Sequence, residues 1–371
     1  MNVNEISVSA KNTVPMSDDK RERTAILVPA YNEGDVLDRT LAAAVREAGA
    51  ENVYVANDAS TDITARIGEY WCPGNVYTVP ENAGKSKGLK AAIDLYRLTE
   101  RYDGIFILDS DTWLSPGHVA AVNKELTPGT AFVVGRIESD LRYKTFWTRY
   151  RGFVMFLYNS IIRTPQNTLN IINVLPGSSV LLTSEAVKAV DWERASRLVL
   201  DDFSMLCDVK YKALGKIKYL HDTPPALISE PLTWKAYKKQ TYGRWWPGIW
   251  QTMRERRMWR KTDAWSLANN AQILSWVWSA ISPLVGLVMI WLLWGTLAVW
   301  LVPLGLAWNL GQMYFFAALY VLRRGRPMTL LLAPLFLMVA YWESVLFTVG
   351  WYKSLQLEEG GRWESPERTS I

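Results

Sequence analysis

The sequence predicts an α/β domain with a mainly parallel sheet, followed by interfacial amphipathic helices and a C-terminal bundle of about three transmembrane helices. Short apolar strands alternate with helically spaced apolar residues from residue 24 to about residue 230. From Ile273 onward the chain is almost free of charge. The overall composition, 49% hydrophobic and 21% charged, suits a soluble domain joined to a more apolar part.

Composition divides the chain into five segments. The first, 1–23, is polar and lacks a long apolar core, so we expect a mobile arm with no signal peptide or N-terminal anchor. The others are an α/β domain at 24–232, interfacial helices at 233–268, transmembrane helices at 269–352 and a C-terminal tail at 353–371.

The α/β domain is predicted to consist of repeated strand–helix units. In such a sheet, ligands bind beyond the carboxyl ends of the strands, so polar clusters at those ends are candidate site residues. We expect strands at 24–29, 52–56, 75–79 and 104–108, and helices at 34–48 and 88–98.

Two carboxylates, Asp109 and Asp111, stand one residue apart after the strand that ends at Leu108. Side chains on a strand alternate between faces, so we expect both to point the same way and to share a hard divalent cation, Mg²⁺ or Mn²⁺. Such an ion neutralises a diphosphate. An isolated Asp-Ser-Asp is more often a turn, but polar clusters also follow the neighbouring strands, which favours a site.

Four motifs follow one another along the chain: VPAYNE (28–33), NDASTD (57–62), ENAGKSKGLKAA (81–92) and LDSD (108–111). In this order they resemble the nucleotide-binding half of family 2 glycosyltransferases with the GT-A fold. The resemblance covers about 24–250 and implies a nucleotide-diphosphate sugar as donor, with a UDP-sugar expected. It implies that the nucleotide is bound by Pro29, Tyr31, Glu33, Asp58, Lys85 and Ser110.

Three later motifs extend the resemblance. Pro176-Gly177-Ser178-Ser179 is similar to the acceptor-side loop, and Leu200-Asp201-Asp202-Phe203 to the acidic pair that holds the catalytic base. Arg244-Trp245-Trp246-Pro247-Gly248 is similar to the Arg-Trp motif of membrane-bound cellulose, chitin and hyaluronan synthases. The chain departs from the family twice: Asp201 stands where Glu is usual, and Gln240 lies one residue further from Arg244 than usual.

The resemblance implies an inverting sugar transfer, in which an acceptor hydroxyl attacks the anomeric carbon while a nucleoside diphosphate leaves. A hydroxyl is a poor nucleophile, so a carboxylate must take its proton, and Asp202 is the candidate base. Arg244 would stabilise the leaving diphosphate, and Trp245 would stack on an acceptor sugar ring. The alternative for Asp201 and Asp202 is helix capping before 203–214, although one capping carboxylate leaves the other free.

Three apolar segments, 273–294, 295–322 and 329–351, are each long enough to cross a bilayer, and the third contains one charge, Glu343. Cations at 323–326 and 254–261 predict that both loops are cytoplasmic. We therefore expect a multi-pass cell-membrane protein with its catalytic domain in the cytoplasm. The acidic tail would lie on the opposite side, with Glu358, Glu359, Glu364 and Glu367. The alternative is a wholly buried helical core.

The segment 234–265 mixes aromatic and basic residues, as nucleic-acid grooves and interfacial helices both do. Because the apolar segments follow directly, we favour the membrane interface, with 146–163 beside it, and expect no nucleic-acid partner. Cys72 and Cys207 suggest neither a disulfide scaffold nor a metal site. His118 and His221 are expected to be structural.

We therefore expect a membrane-embedded inverting hexosyltransferase that acts on a membrane-held lipid or saccharide acceptor. The alternative is a processive polysaccharide synthase that extends and extrudes its polymer. Three spans provide few walls for a polar polymer, so a single protomer would add one or a few sugars, and long-chain secretion would require a homo-oligomer. A transporter subunit with a nucleotide-sensing domain would need more ionisable residues in its spans than Glu343. Intact Asp58, Asp111 and Asp202 oppose a catalytically inactive scaffold.

Overall fold

The computed structural model of the chain describes residues 22–142, 144–173 and 177–357. The predicted N-terminal arm up to residue 21, Pro176 of the acceptor-like loop and the acidic tail from residue 358 lie outside these ranges.

Within the described ranges, ten strands form two sheets. The strands are β1 (Glu22–Ala30), β2 (Val53–Asn57), β3 (Val76–Thr78), β4 (Tyr102–Leu108), β5 (Thr112–Leu114), β6 (Thr130–Val134), β7 (Ile137–Ser139), β8 (Ser179–Thr183), β9 (Lys216–Tyr219) and β10 (Ala226–Ile228). The large sheet has the order β3-β2-β1-β4-β8-β6-β9, and the small one β5-β10-β7. In the large sheet only β8 runs antiparallel to its neighbours, β4 and β6. The predicted α/β domain with a mainly parallel sheet is confirmed.

Helices pack on the sheet and also make up most of the C-terminal part of the described chain. They are α1 (Leu37–Ala48), α2 (Thr64–Trp71), α3 (Lys85–Leu95), α4 (Leu98–Arg101), α5 (His118–Asn123), α6 (Phe146–Phe156), α7 (Arg163–Thr168), α8 (Ser184–Ala189), α9 (Trp192–Arg197), α10 (Asp201–Tyr211), α11 (Trp234–Gln240), α12 (Trp246–Glu255), α13 (Ala264–Leu292), α14 (Leu301–Arg324) and α15 (Met328–Ser354). Short 3₁₀ turns lie at Ala50–Asn52, Met258–Arg260 and Leu297–Trp300. A π-helical segment, Leu157–Ile162, joins α6 to α7, and another, Thr241–Trp245, joins α11 to α12.

The central strands are buried on both faces, as expected for a parallel sheet covered by helices. Every residue of β2 is buried, and α1 packs Leu37, Leu41 and Ala44 into the same core. Gly104 permits the close approach of β4 and β8, because a Cβ atom there would lie 2.8 Å from Leu181 Cδ1. The core therefore holds the carboxyl ends of the strands in a fixed relative position.

Three helices begin at other residues than the sequence predicts. The helix expected at 34–48 begins at Leu37, because the Glu33 carbonyl first closes a turn with the N–H groups of Val36 and Leu37. The helix expected at 88–98 is α3 and begins at Lys85, directly after Gly84 with φ +87°. The helix expected at 203–214 is α10, whose first turn contains both Asp201 and Asp202.

The first apolar helix also begins earlier, at Ala264 instead of 273, because Asp263 caps it by accepting from the Ser266 N–H at 2.9 Å. Its first turns, including Trp265 and Ile273, are buried against the α/β domain. Three transmembrane helices are expected from the sequence, but in the described part of the chain two, α13 and α15, are long and apolar enough to cross a membrane by length and composition. The shorter α14 joins them.

A buried ion pair attaches α12 to the domain, and its loss is predicted to destabilise the fold. Asp208 accepts from Arg256 Nη2 at 2.6 Å and from the Asp191 N–H at 2.8 Å, and both charged side chains are at most 5% exposed. Asp208→Ala leaves a buried cation unpaired, so we expect it to lower the free energy of unfolding by about 3–5 kcal/mol. Urea unfolding in detergent measures the change.

Lys90→Ala is the matched control, because the Lys90–Asp94 pair is exposed. We expect it to change the unfolding free energy by less than about 1 kcal/mol. Equal effects of the two substitutions would contradict the structural role of Asp208.

Candidate active site

The Asp-Ser-Asp sequence lies in a turn. β4 ends at Leu108, and the Thr112 N–H donates to the Asp109 carbonyl at 3.0 Å. The strand alternation expected to align Asp109 with Asp111 therefore does not apply, because neither residue is on the strand. The Asp109 N–H donates to the Ser178 carbonyl at 2.9 Å, which joins this turn to the acceptor-like loop.

Asp109 forms an ion pair with Lys85 at the start of α3. The Lys85 Nζ lies 2.7 Å from Asp109 Oδ1, and the two side chains are 10% and 22% exposed. Burial alone would lower the pKa of Lys85, but the carboxylates of Asp109, Asp201 and Asp202 raise it above its ordinary value. The ammonium group therefore stays charged and faces a cluster of carboxylates.

Asp58 fixes the loop that leads into Lys85. Its two carboxylate oxygens accept from the N–H groups of Ala83 at 2.8 Å and Gly84 at 2.9 Å. The sequence predicts a nucleotide contact for Asp58 but does not reveal this role. Since a carboxylate has about four lone-pair sites, the two backbone bonds leave capacity for a ligand.

The loops after β1 and β2 are bonded to each other. Asn32 Oδ1 accepts from the Thr61 N–H, and Ser60 Oγ accepts from the Asn32 N–H, both at 2.9 Å. Asp62 Oδ2 accepts from the Gly34 N–H at 2.9 Å. The predicted nucleotide residues of the first loop are Pro29 and Glu33, which are buried, and Tyr31, which is half-buried.

Ser110, also predicted to contact the nucleotide, is 2% exposed. Its carbonyl accepts from Thr40 Oγ1 at 2.7 Å, which ties the Asp109–Thr112 turn to α1. This bond gives Ser110 a part in fixing the turn.

The acidic pair lies in the first turn of α10, next to α3 and to the acceptor-like loop. Asp201 Oδ2 accepts from Ser86 Oγ at 3.1 Å, and Asp202 Oδ1 accepts from the Phe203 N–H at 2.7 Å. The N-cap residue is Leu200, so neither Asp is the helix cap. A Cβ atom on Gly177 would lie 2.5 Å from Asp202 Oδ2, so only glycine fits there unless the carboxylate moves.

The environment of Asp202 suits a proton acceptor. Burial, and then the negative charge of Asp201, raise the pKa of Asp202 to about 6, while Lys85 opposes the rise. Ser178 Oγ, in the adjacent loop, is buried and has no hydrogen-bond partner among the described residues. The start of α3, the end of β4, the loop at Gly177 and the start of α10 thus form one polar cluster.

The chemistry of the donor set fits a divalent cation completed by a substrate. Mg²⁺ is usually held by one or two protein carboxylates together with substrate phosphates. Asp109 and Asp111 provide two carboxylates on one turn, with Asp109 also paired to Lys85. The described residues contain no group of three or more His, Cys, Asp or Glu that could hold an ion.

The Arg-Trp motif lies on the π-helical segment Thr241–Trp245. A turn closed by i→i+5 hydrogen bonds contains one residue more than an α-helical turn. The extra residue between Gln240 and Arg244 is thereby accommodated within the helix. Gln240 Oε1 is buried and, within the described ranges, has no hydrogen-bond partner, whereas Arg244 is half-buried.

Helix α12 connects this motif to the acidic pair. Gly248 packs so closely that a Cβ atom there would lie 2.7 Å from Leu200 Cγ, and Gln251 Oε1 accepts from the Val199 N–H at 3.1 Å. Residues 199 and 200 directly precede the pair, so the position of α12 fixes the backbone that leads into Asp201.

Trp245 is supported by a buried ion pair that sequence reasoning missed. The Arg151 guanidinium carbon lies 4.6 Å from the Trp245 ring centroid, and Arg151 Nε lies 3.1 Å from Glu230 Oε2. Glu230 also accepts from Ser139 Oγ at 2.6 Å. The only sequence signal was the position of Arg151 within the aromatic segment 146–163, which does not point to Glu230.

The histidines and cysteines lie outside this cluster. His118 is fully buried, with Nδ1 2.6 Å from the Pro224 carbonyl oxygen, in keeping with the structural role expected from the sequence. Cys72 and Cys207 are free and buried.

Comparisons with known proteins agree with the sequence motifs. Residues 25–189 match the family described as glycosyl transferase family 2. No curated protein matches the sequence.

Similar solved structures share low identity with this chain. S. aureus TarS is 15% identical with a TM-score of 0.42 over 66% of this chain, and the match spans only 41% of the TarS chain. TarS 1–349 is 14% identical with a TM-score of 0.45, covering 90% of this chain and 92% of that one.

A third similar structure is glucosyl-3-phosphoglycerate synthase from Mycobacterium tuberculosis, solved in complex with Mg²⁺ and uridine diphosphate. It is 14% identical with a TM-score of 0.41 and covers 63% of this chain and 79% of that chain. Together with the order of the motifs, the family match shows that residues 25–189 of this chain are similar to glycosyl transferase family 2.

Proposed function

We propose that the protein is a membrane-attached inverting glycosyltransferase that moves a hexose from a UDP-sugar to a membrane-held lipid or saccharide acceptor. The observation that carries the proposal is the contact of Asp202 with Gly177, beside the Lys85–Asp109 ion pair, in a chain whose residues 25–189 match glycosyl transferase family 2. The proposed base, the proposed acceptor-side loop and the Lys85 ammonium group thus lie in one polar cluster.

Asp202 is the proposed general base. The acceptor hydroxyl attacks the anomeric carbon from the side opposite the diphosphate, so the new glycosidic bond forms as the bond to the diphosphate breaks. The hydroxyl proton passes to the Asp202 carboxylate, whose elevated pKa favours its acceptance. Ser86 holds Asp201 in place, and the charge of Asp201 maintains that elevation.

The leaving diphosphate requires positive charge. Lys85 supplies an ammonium group next to Asp109, and Arg244 supplies a guanidinium group that can bind phosphate oxygens in a bidentate manner. A bound Mg²⁺ or Mn²⁺, held by Asp111 with Asp109, would add charge neutralisation at the diphosphate. Asp58 contributes by fixing the loop before Lys85.

Acceptor binding is assigned to the loop at Gly177 and Ser178 and to the Arg-Trp segment. Ser178 Oγ and Gln240 Oε1 are buried acceptors without a partner in the described part of the chain, which is costly unless a ligand or water bonds to them. Trp245 offers a flat aromatic surface to a sugar ring.

Membrane attachment is assigned to the C-terminal helices. Large apolar side chains of α13 are widely exposed, including Leu284 at 62%, Leu287 at 63% and Trp291 at 77%. Such a surface is not stable in water and suits hydrocarbon. The catalytic domain would face the cytoplasm at the cell membrane, because the loops at 254–261 and 323–326 are rich in cations.

A processive polysaccharide synthase is the second candidate. The observation that favours it is the Arg244-Trp245 pair, which resembles the motif of the polymerising members. Sizing of the products made by monomeric and oligomeric enzyme distinguishes single transfer from chain extension.

Substitution of the base tests the proposal directly. We expect wild-type protein to release nucleoside diphosphate from one member of a panel of labelled nucleotide sugars, and Asp202→Asn to lose at least about 100-fold of this activity. UDP binding, measured by calorimetry, should stay within a factor of about three, because the base acts on the acceptor. Near wild-type turnover of Asp202→Asn would exclude Asp202 as the base.

The elevated pKa of Asp202 predicts the acid limb of the pH profile. The carboxylate accepts a proton only when ionised, so kcat/KM should rise tenfold per pH unit below about pH 6 and level off above it. An unperturbed Asp would give a midpoint near about 4. A profile that stays flat down to pH 5 would contradict the assignment.

Divalent-ion dependence is the third prediction. Chelation should abolish transfer, Mg²⁺ or Mn²⁺ should restore it, and Asp111→Ala should weaken Mn²⁺ binding measured by electron paramagnetic resonance in the presence of UDP. Asp103→Ala is the control, because Asp103 is an exposed residue within β4. Full activity in excess chelator would remove the ion from the mechanism.

A further inference from the structure

We propose that helix α15 lies along the membrane-facing side of the catalytic domain as a surface that binds the bilayer interface, and that only α13 and α14 cross the membrane. The end of α15 at Ser354 would then lie on the same side as the catalytic domain. The proposal rests on the proposed membrane attachment but not on catalysis.

One face of α15 packs on the rest of the protein along the entire helix. Its members are buried except for the partly buried Glu343, and they recur at helical spacing: Thr329, Ala333, Phe336, Glu343, Phe347, Gly350 and Ser354. The Phe336 ring lies 5.3 Å from Tyr150 of α6, and the Phe347 ring lies 5.1 Å from Trp250 of α12. The packed face therefore runs from the first turn of the helix to the last.

Both ends of α15 are held by the catalytic domain. Arg324, four residues before the helix, lies 2.8 Å from Glu138 of β7. At the other end, the Ser354 carbonyl accepts from Arg254 Nη2 of α12 at 3.2 Å. The next turn of the chain after Arg254 is fixed to the domain core by the ion pair between Arg256 and Asp208, 2.6 Å apart.

These two attachments oppose a crossing. A helix of 27 residues is about 40 Å long, more than the roughly 30 Å of the hydrocarbon core. A crossing α15 would carry its ends to opposite sides of the bilayer. One folded domain cannot bind both ends in that arrangement.

The middle of α15 is also bound to the domain. Glu343 accepts hydrogen bonds from Tyr150 of α6, at 2.5 Å, and from Tyr237 of α11. A carboxyl group facing lipid would be costly. These hydrogen bonds direct the Glu343 carboxylate toward the domain. The opposite face of α15 is apolar.

That opposite face is a continuous apolar stripe. Leu331 is 74% exposed, Met338 66%, Trp342 49% and Tyr352 61%. Cations flank the stripe at both ends: Arg323 and Arg326 precede the helix, and at its end Arg254, Arg257 and Arg260 line a cavity of about 370 Å³ with Trp250, Trp259 and Trp351. Arginine and tryptophan around an apolar surface suit the headgroup level of an anionic bilayer.

Helix α13 extends away from the catalytic domain, and α14 extends back toward it. The start of α13 is buried at Trp265, whereas its later part is exposed, including Trp291 at 77%. α14 begins exposed, with Leu304 at 62%, and is buried near its end at Tyr320, whose ring lies 5.0 Å from Phe156 of α6. Although α14 is less apolar than α13, its 24 residues extend about 36 Å and exceed the roughly 30 Å of the hydrocarbon core, so α13 and α14 account for an outward and a returning crossing.

Cysteine accessibility in intact cells tests the topology. We expect Thr296→Cys, in the turn between α13 and α14, to react with a membrane-impermeant thiol reagent from outside, and Gln356→Cys, after α15, to react only after permeabilisation. Thr262→Cys, just before α13, is the control for the catalytic side. Burial raises the pKa of both native thiols, Cys72 and Cys207, to about 12, so the background stays low.

Labelling of Gln356→Cys in intact cells would show that α15 crosses and would overturn the proposal. So would protection of Thr296→Cys, since α13 and α14 would then not cross. Extraction of the wild-type protein from membranes by alkaline carbonate would overturn the membrane attachment itself. None of these readouts depends on sugar transfer, so a failure of the topology proposal can be told apart from a failure of the catalytic proposal.

A depth measurement provides a second test that does not depend on orientation. Fluorophores on Leu331→Cys, Met338→Cys and Tyr352→Cys in vesicles of phosphatidylglycerol and phosphatidylcholine are quenched by lipids carrying nitroxides at known depths. For an interfacial helix the three depths should agree within a few Å. A crossing helix would place the label at 338 about 10 Å deeper than the labels at 331 and 352, which would overturn the proposal.

Discussion

The arrangement of the polar cluster depends on the antiparallel pairing of β8 with β4. In this register Leu108 lies opposite Ser179, so the loop at Gly177 and Ser178 arrives beside Asp109 at the carboxyl end of β4. A parallel β8 would begin at the amino end of β4, so the loop before it would lie far from the carboxylates. The single reversed strand thus joins the two sides of the cluster, because α10 can then pack Asp202 against Gly177.

The polar cluster contains more negative than positive charge. Asp109, Asp201 and Asp202 all act on Lys85, and the protein offers one buried ammonium group to three carboxylates. The excess of negative charge raises the proton affinity of Asp202, which is useful for a base but unfavourable for binding a diphosphate. In the proposed mechanism, additional positive charge from Arg244 or from a divalent ion would offset this excess when an anionic donor binds.

The fold and the order of the site motifs could be predicted from the sequence, whereas the contacts between them could not. Apolar periodicity and the polar strand ends at 57–62 and 108–111 are local patterns, and they indicated the sheet and its rim. The bond from Asp58 to the loop before Lys85 and the pair of Arg151 with Glu230 join residues 25 and 79 positions apart, which no local pattern records. Composition likewise does not show which face of the apolar run at 329–351 is covered, whereas the structure shows a packed face from Thr329 to Ser354.

Some predicted helix boundaries are wrong because they too depend on backbone conformation that local patterns do not record. Lys85 was expected in a loop, but the positive φ of Gly84 allows α3 to begin at once, and the lysine gains a defined direction toward Asp109. Likewise, the extra residue between Gln240 and Arg244 looked like a mismatch in the sequence. In the structure it forms part of a π-helical turn, so spacing along the chain and spacing around the helix differ.

The guanidinium beneath Trp245 makes that side chain a one-sided surface. An indole ring free in solvent offers two equivalent faces to a sugar, but Arg151 covers one of them at 4.6 Å, and the bond of Arg151 to Glu230 keeps it there. A pyranose ring has two chemically different faces, of which one carries more C–H groups. If Trp245 contacts the acceptor as proposed, the enzyme would distinguish sugars by the ring face they present and by their direction of approach. This selectivity for one face would then originate in the Arg151–Glu230 salt bridge, which does not itself contact the sugar.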